Sequence, residues 1–367
     1  MEDHAGPADS DPRSPVPPAG HSRQVTESGV AMDWQLIFEN SLKGLIGINA
    51  VYFAIAAIGM NVQFGYTGLL NFGQAGFMAC GAYGLGMTAH YFDISFWWGI
   101  PIGVVFSLVL GLLMGVPTLR LRADYLAIVT IAAAEIIRLV VRSVRFKTYF
   151  GGSDGINGFS QSFRKVGNSL GIQEADEYGF WPFRFTGREI WTLIVGWVLV
   201  ALLGFVVYKL MKSPWGRVLK AIREDEDAVR SLGKNVYSYK MQSLLLGGAI
   251  GTISGMVFAL DRGSVQPDNY SRDVTFYILT ALVLGGVAKV SGSIVGPMIF
   301  WGIFTFMDNL LRQVAEDPVH LWNFTLMKST QVGQLNYILI GLALILLMVF
   351  RPQGMFGNRQ EMAFDGR

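Results

Sequence analysis

The sequence predicts an all-α polytopic membrane protein of about eight or nine transmembrane helices, some of them discontinuous or re-entrant. Three observations carry that expectation. Hydrophobic residues make up 51% of the 367 positions and charged residues only 15%, against about 25% charged in a typical soluble domain. The mean hydropathy is +0.40, and 44 glycines accompany the apolar residues, as in closely packed membrane helices. Long windows also lack Asp, Glu, Lys and Arg altogether, and about 20 apolar residues suffice for a helix to cross roughly 30 Å of hydrocarbon.

The windows can be taken in chain order. Residues 1–31 are rich in Pro, Ser, Asp and Gly and hold no apolar run, so they read as a disordered polar tail rather than a signal peptide. Residues 32–357 form the membrane domain, and residues 358–367 a short C-terminal tail. The charge-free run from Gly44 to Phe92 covers 49 residues, enough for two spans joined by an uncharged connection. Ile94 to Leu119 gives 26 residues, Ile190 to Tyr208 gives 19, and Met241 to Leu260 gives 20. Val290 to Met307 gives 18 and Ser329 to Phe350 gives 22. Tyr125 to Val141 reads as a span despite Glu135 and Arg138. Val274 to Ala288, at 15 residues, is short for a full span and suggests a half-helix or a strongly packed segment.

Residues 61–76, NVQFGYTGLLNFGQAG, hold two Asn, two Gln and four Gly and no charge. They lie where two hydrophobic segments join. Backbone that leaves a helix at that depth must be buried in protein or line a wet cavity, because lipid supplies no hydrogen-bond partner. Gly73 and Gly76 allow close helix contact. Asn61, Gln63, Asn71 and Gln74 satisfy freed backbone groups or face a polar substrate without burying charge. Helix bonding and a place on a substrate pathway both remain open for them.

Glu135 and Arg138 stand three residues apart, on one helical face, and pair as a structural lock between helices; a proton relay is the weaker alternative, since no second acid chain accompanies them. Residues 151–158, GGSDGING, form turns. Neither they nor GGVAKVSG near Gly285 satisfy the phosphate-loop pattern. Ser213 to Lys240 predicts a short amphipathic helix between two spans. Ser213 and Pro214 open it, Gly233 stops it, Val218, Ala221, Ile222, Val229 and Leu232 recur at helical spacing, and Glu226 pairs with Arg230. Its mixed-sign polar face suits a protein surface better than anionic lipid.

Composition excludes other classes. The net charge of +2 is too small to imply nucleic acid, and the lone Cys80 excludes an internal disulfide. The four histidines are scattered. No nucleophile and base constellation points to an enzyme; a non-catalytic subunit with no cofactor of its own is expected.

Several blocks in order resemble the permeases of bacterial branched-chain amino acid ABC importers, the LivM type. They are GYTGLLNFGQAGFMACGAY from Gly65, LRLRADYLAIVTIAAAEIIRLV from Leu119, GGSDGINGF from Gly151, SPWGRVLKAIREDEDAVRSLGKNVYSYK from Ser213, ALVLGGVAKVSGSIVGP from Ala281 and FRPQGMFG from Phe350. The resemblance covers Trp34 to Gly357. It implies the ABC-importer permease fold in a bacterial cell membrane and import of leucine, isoleucine and valine. The partners it implies are a second, related permease forming a heterodimer, two cytoplasmic ATPase subunits that bind the ATP, an extracytoplasmic substrate-binding protein, and membrane lipid. It also makes Ser213 to Lys240 a cytoplasmic coupling loop, with Arg217, Ala221, Arg223, Glu224, Asp227, Arg230 and Gly233 in its coupling helix, and places Phe150 to Arg188 outside. Related permeases carry urea or short-chain amides, which remain alternative substrates. A stand-alone secondary transporter remains a second class, weakened by the absence of a visible repeat and of acids beyond Glu135 deep in a span.

Overall fold

The computed structural model describes residues 33–91, 95–120, 123–316, 320–321, 324–325, 332–350 and 354–356. The expected tails at 1–31 and 358–367, Arg122 and part of the 350–357 block lie outside them. The described chain is predominantly helical. Helices α1 (Trp34–Ile46) and α2 (Ile48–Met60) run on through a π-helical turn, Asn61–Tyr66. After residues 68–73, which have no regular structure, come α3 (Gln74–Tyr91), α4 (Gly99–Thr118) and α5 (Ala123–Arg142). The short α6 (Lys147–Phe150) and α7 (Gln161–Ser169) precede α8 (Gly187–Lys212). Then follow α9 (Pro214–Glu224), α10 (Glu226–Ser231), α11 (Val236–Arg262), α12 (Arg272–Gly285), α13 (Val290–Glu316) and α14 (Val332–Phe350).

Five segments among the described residues are long and apolar enough to cross a membrane: Trp34–Tyr66, Gly99–Thr118, Gly187–Lys212, Val236–Arg262 and Val290–Gln313. Helix α5, which carries Glu135 and Arg138, is not among them, and α12 is 14 residues long, or about 21 Å at 1.5 Å per residue. That length agrees with a half-helix rather than a full span.

Helix α2 is the centre of the bundle. Every residue from Ala50 to Met60 is buried, which is why its sequence is apolar on all faces. Helix α11 packs on it and on α3, and hydroxyls join them: Ser254 Oγ donates to Tyr52 O at 2.6 Å and Thr252 Oγ1 to Phe77 O at 3.2 Å. Small residues let these helices approach: an added Cβ on Gly247 would sit 2.5 Å from Gly59 O, the close contact that holds helices together where no hydrophobic drive exists between them. Outward-facing residues such as Val105, Leu113, Val198 and Phe205 are exposed and apolar, as a lipid-facing surface requires.

Strand pairs are short and form three separate two-stranded sheets. The pair β1 (Ile156–Asn157) and β4 (Ser264–Val265) is antiparallel, as is the hairpin β2 (Glu177–Phe180) with β3 (Phe183–Thr186). A further antiparallel pair joins β5 (His320–Leu321) to β6 (Phe324–Thr325). The GGSDGING turn belongs to the end with β1 and β4. There the Lys147 ammonium, 2.7 Å from Asp154, holds the Asp154 carboxyl below the usual carboxylate range.

The single amphipathic helix expected between Ser213 and Gly233 is two helices. Asp225 leaves the helical region (φ −152°, ψ 103°) and its side chain accepts from Ala228 N, so it caps α10. An Asp in that position satisfies the first free amides of a new helix better than it continues an old one.

Candidate functional site: a broken membrane helix and the helix pair beneath it

The membrane segment that begins at Trp34 ends in the π-turn Asn61–Tyr66, an arrangement that inserts an extra residue into the helical ladder and often marks functional positions. The chain then runs irregularly before α3 starts. Leu69 N donates to Gln63 O at 2.9 Å, folding the break back on the π-turn. Phe72 N donates to Thr130 Oγ1 of α5 at 3.1 Å, and Ala75 N to Thr275 Oγ1 of α12 at 3.0 Å. One of the first amides of α3, which lack partners in their own helix, is thus satisfied by a threonine of α12, and the irregular stretch before α3 is held by a threonine of α5.

All four amide residues of this stretch are buried. Asn61 Nδ2 donates to Lys289 O at 3.0 Å and to Ser293 Oγ at 2.8 Å, while its Oδ1 accepts from Ala288 N. That bond secures Ala288, whose φ of 62° is left-handed. Gln63 Nε2 donates to Leu244 O of α11 at 2.9 Å and Gln63 Oε1 accepts from Asn71 Nδ2 at 2.8 Å. Asn71 Oδ1 accepts from Gly73 N. Gln74 Nε2 reaches Ala56 O and Gly247 O, each at 3.4 Å, and its Oε1 has no protein partner. In this conformation the amides bind helices together. Gly73 and Gly76 face α5: a Cβ on Gly73 would stand 2.7 Å from Thr130 O, and one on Gly76 3.1 Å from Ala134 Cα.

Helices α9 and α10 fold back on the start of α11. Leu219, Ile222 and Val229 are buried, and Ile222 and Val229 pack with Val236. Two members of the expected apolar stripe are elsewhere: Ala221 is exposed and Leu232 is 80% exposed. Leu219, with Ile222, takes the inward face of α9 and Ala221 turns outward, while the break at Asp225 takes Leu232 out of phase with α9. Trp215 Nε1 donates to Gln242 Oε1 at 2.7 Å, and Lys240 pairs with Glu226. Arg230 bonds both Glu226 at 2.8 Å and Asp227 at 2.9 Å. Arg217, Glu224, Asp227 and Arg230 are exposed. Gly233 follows with φ +74°, the left-handed stop its position predicts.

Arg223 differs from those neighbours. It is half-buried, and its Nη1 donates to Gly65 O in the π-turn. Lys220, three residues earlier, lies 5.7 Å from the Tyr66 ring centroid. Sequence alone offered no sign of this link, because nothing local in α9 marks which charge turns inward.

Glu135 and Arg138 form a bidentate pair, Nε to Oε2 at 3.1 Å and Nη2 to Oε1 at 2.6 Å. Arg138 Nη1 also reaches Asp268 Oδ1 at 2.6 Å, and Arg142 joins the same oxygen at 3.1 Å. The pair therefore ties α5 to the turn before α12, and Asp268 is the partner that sequence reasoning missed. Among the described residues no group of three or more His, Cys, Asp and Glu side chains is arranged to hold a metal ion.

The family described as the permease component of the branched-chain amino acid transport system matches residues 45–348. The chain belongs to this family. Its members among known proteins include the high-affinity branched-chain amino acid transport system permease protein LivM of Salmonella typhimurium (strain LT2). That protein is 30% identical over 335 residues, 89% of this chain and 72% of the relative. The LivM of Escherichia coli (strain K12) is 29% identical over 332 residues, with the same coverage. The probable LivM of Methanocaldococcus jannaschii is 24% identical over 343 residues, 83% of this chain and 90% of the relative. Membership in this permease family and the five apolar segments make the chain a multi-pass cell-membrane protein.

Proposed function

We propose that this chain is the non-catalytic permease subunit of an ATP-driven importer for the branched-chain amino acids leucine, isoleucine and valine. It pairs with a second, related permease, docks two cytoplasmic ATPase subunits that bind the ATP, and receives substrate from an extracytoplasmic binding protein. The observation that carries the reading is the helix pair α9–α10. It stands between two long apolar helices, α8 and α11, folds its apolar side onto α11, and leaves Ala221, Leu232 and a mixed-sign charged face exposed. Such a face has no role in lipid and suits a soluble protein partner. The end bearing α9 and α10 is then cytoplasmic, and the end bearing β1 and β4 is outside.

The five long apolar segments together with α3, α5, α12 and α14 support nine passes, within the eight or nine expected, with α12 a partial one. The route runs beside the break at residues 68–73. Asn61, Gln63, Asn71 and Gln74, with Gly73 and Gly76, act as its structural wall, holding irregular backbone in place where lipid cannot. Alternation between outward and inward openings follows nucleotide-driven motion of the partners.

Uptake of labelled leucine, labelled urea and a labelled short-chain amide, by cells with and without this gene, tests the reading. Leucine uptake that depends on the gene supports it. Gene-dependent uptake of urea or the amide alone would move the substrate class, and leucine uptake that persists without ATPase partners would point to a stand-alone transporter.

A further inference from the structure

We propose that Arg223 is the positioning residue that carries motion of the helix pair into the membrane segment, by holding the carbonyl of Gly65 at the end of the π-turn. The inference rests on the importer reading above and adds to it a named path.

Four observations converge on this residue. Arg223 is half-buried while Glu224, Asp227 and Arg230 of the same helix pair are exposed, and its Nη1 donates to Gly65 O. Gly65 lies at the C-terminal end of the helical segment Trp34–Tyr66, where the last carbonyls lack partners in the helix and the helix dipole places partial negative charge. Lys220 stands one turn from Arg223 and over the Tyr66 ring, so two cations of α9 meet this one helix end. The Arg223 stem crosses Gly68, which is left-handed at φ +72°, and a Cβ at that position would stand 3.3 Å from Arg223 Cγ.

From Gly65 the connection continues without a gap. Leu69 N is bonded to Gln63 O, Asn71 Nδ2 to Gln63 Oε1, and Gly73 N to Asn71 Oδ1. Helix α3 starts at the next residue. A displacement of α9 therefore reaches the start of α3 through hydrogen-bonded groups rather than through a loose loop. A cavity of about 230 Å³, lined by Thr67, Gly68, Leu69, Ile222, Arg223 and Glu226 among others, lies alongside the link, which leaves room for the guanidinium and the break to shift together. Transmission of this kind requires an element with two discrete arrangements, and in this proposal that element is the π-turn, which differs from a regular α-turn by one inserted residue.

The test uses the whole complex, purified through this subunit with its sister permease and ATPases, reconstituted in vesicles and supplied with leucine-loaded binding protein. ATP hydrolysis and leucine uptake are measured in the same vesicles for wild type, Arg223→Ala and Arg223→Lys. The expected result is that Arg223→Ala retains the ATPase subunits and hydrolyses ATP, while leucine taken up per ATP falls about tenfold, within the usual range of coupling between sites. Arg223→Lys, which keeps charge and stem but shortens the reach, recovers part of that loss. Wild-type uptake per ATP in Arg223→Ala overturns the proposal, as does loss of the ATPases, which would make Arg223 a docking residue. If Arg223→Ala fails to accumulate, the Lys variant decides alone, and wild-type uptake per ATP there overturns the proposal equally. A wild-type complex that assembles no ATPases fails the importer reading itself, and this inference with it.

Discussion

Asn71 and Gln63 hold each other across the break in the membrane helix: Asn71 Nδ2 donates to Gln63 Oε1 at 2.8 Å. Gln63 spends its own amide hydrogen on Leu244 O of α11, and Asn71 Oδ1 receives Gly73 N. Two uncharged side chains thus satisfy each other and two backbone groups, one on α11 and one in the break, at a depth where neither water nor lipid does so. Removing one partner leaves a buried donor or acceptor exposed to that cost, about 1–3 kcal/mol. Gln63→Ala and Asn71→Ala are each expected to lower the melting temperature in detergent, and the double variant to lose less than the sum. Strict additivity would show that the two side chains do not act as a unit.

Gly73 is where the break touches α5. A Cβ would stand 2.7 Å from Thr130 O, and that carbonyl belongs to helix backbone, so it cannot turn aside. Gly73→Leu is expected to insert in the membrane yet fail in leucine uptake, because α5 and the break must separate to fit the side chain. Membrane abundance by immunoblot, set against uptake, checks this; wild-type uptake would show that the contact opens freely.

Arg138 serves two carboxylates, Glu135 and Asp268, with Arg142 as a second partner for Asp268. Glu135→Gln should therefore cost less folded protein than Arg138→Gln, which leaves Glu135 without its bidentate partner. Exchanging the two, Glu135→Arg with Arg138→Glu, restores their mutual attraction but sets a carboxylate against Asp268. Recovery is expected to be partial, and to improve when Asp268→Asn is added. Fluorescence-detected size-exclusion yields rank these variants. A yield for Arg138→Gln equal to that for Glu135→Gln would show that the Asp268 arm contributes nothing.

The legible parts of this molecule are those written in local pattern. Windows without charge became long helices, the 15-residue window became the 14-residue α12, and Ser213, Pro214 and Gly233 bound the helix pair because caps and stops act within a few residues. The break at Asp225 stayed hidden, because an acid inside REDED reads equally as a helix surface or as a cap. The destinations of Arg223 and Arg138 stayed hidden for a different reason. Gly65 lies 158 positions from Arg223, and Asp268 lies 130 from Arg138, so only the packing of the helices brings them together. The amides at 61–74 announced that polar groups were needed, but which backbone groups they serve depends on α11 and on the turn before α13.

The last prediction concerns the stop after the helix pair. Gly233 has φ +74°, and an added Cβ would meet nothing within 4 Å. A substitution there meets no clash, so its cost is backbone strain alone. Gly233→Val places a β-branched residue in the left-handed region, at about 1–2 kcal/mol, whereas Asn tolerates that region. The strain is relieved by unwinding α10 or by shifting the exposed Leu232 and the charges of Asp227 and Arg230, which form the surface proposed for the ATPase subunits. Gly233→Val is therefore expected to insert and to pair with its sister permease, yet to recover fewer ATPase subunits or to hydrolyse ATP without uptake. Gly233→Asn should behave as wild type. Purification of the complex through this subunit, with ATPase recovery and leucine uptake measured side by side, separates the outcomes: full recovery and full uptake in Gly233→Val would show that the geometry of this stop does not matter for docking.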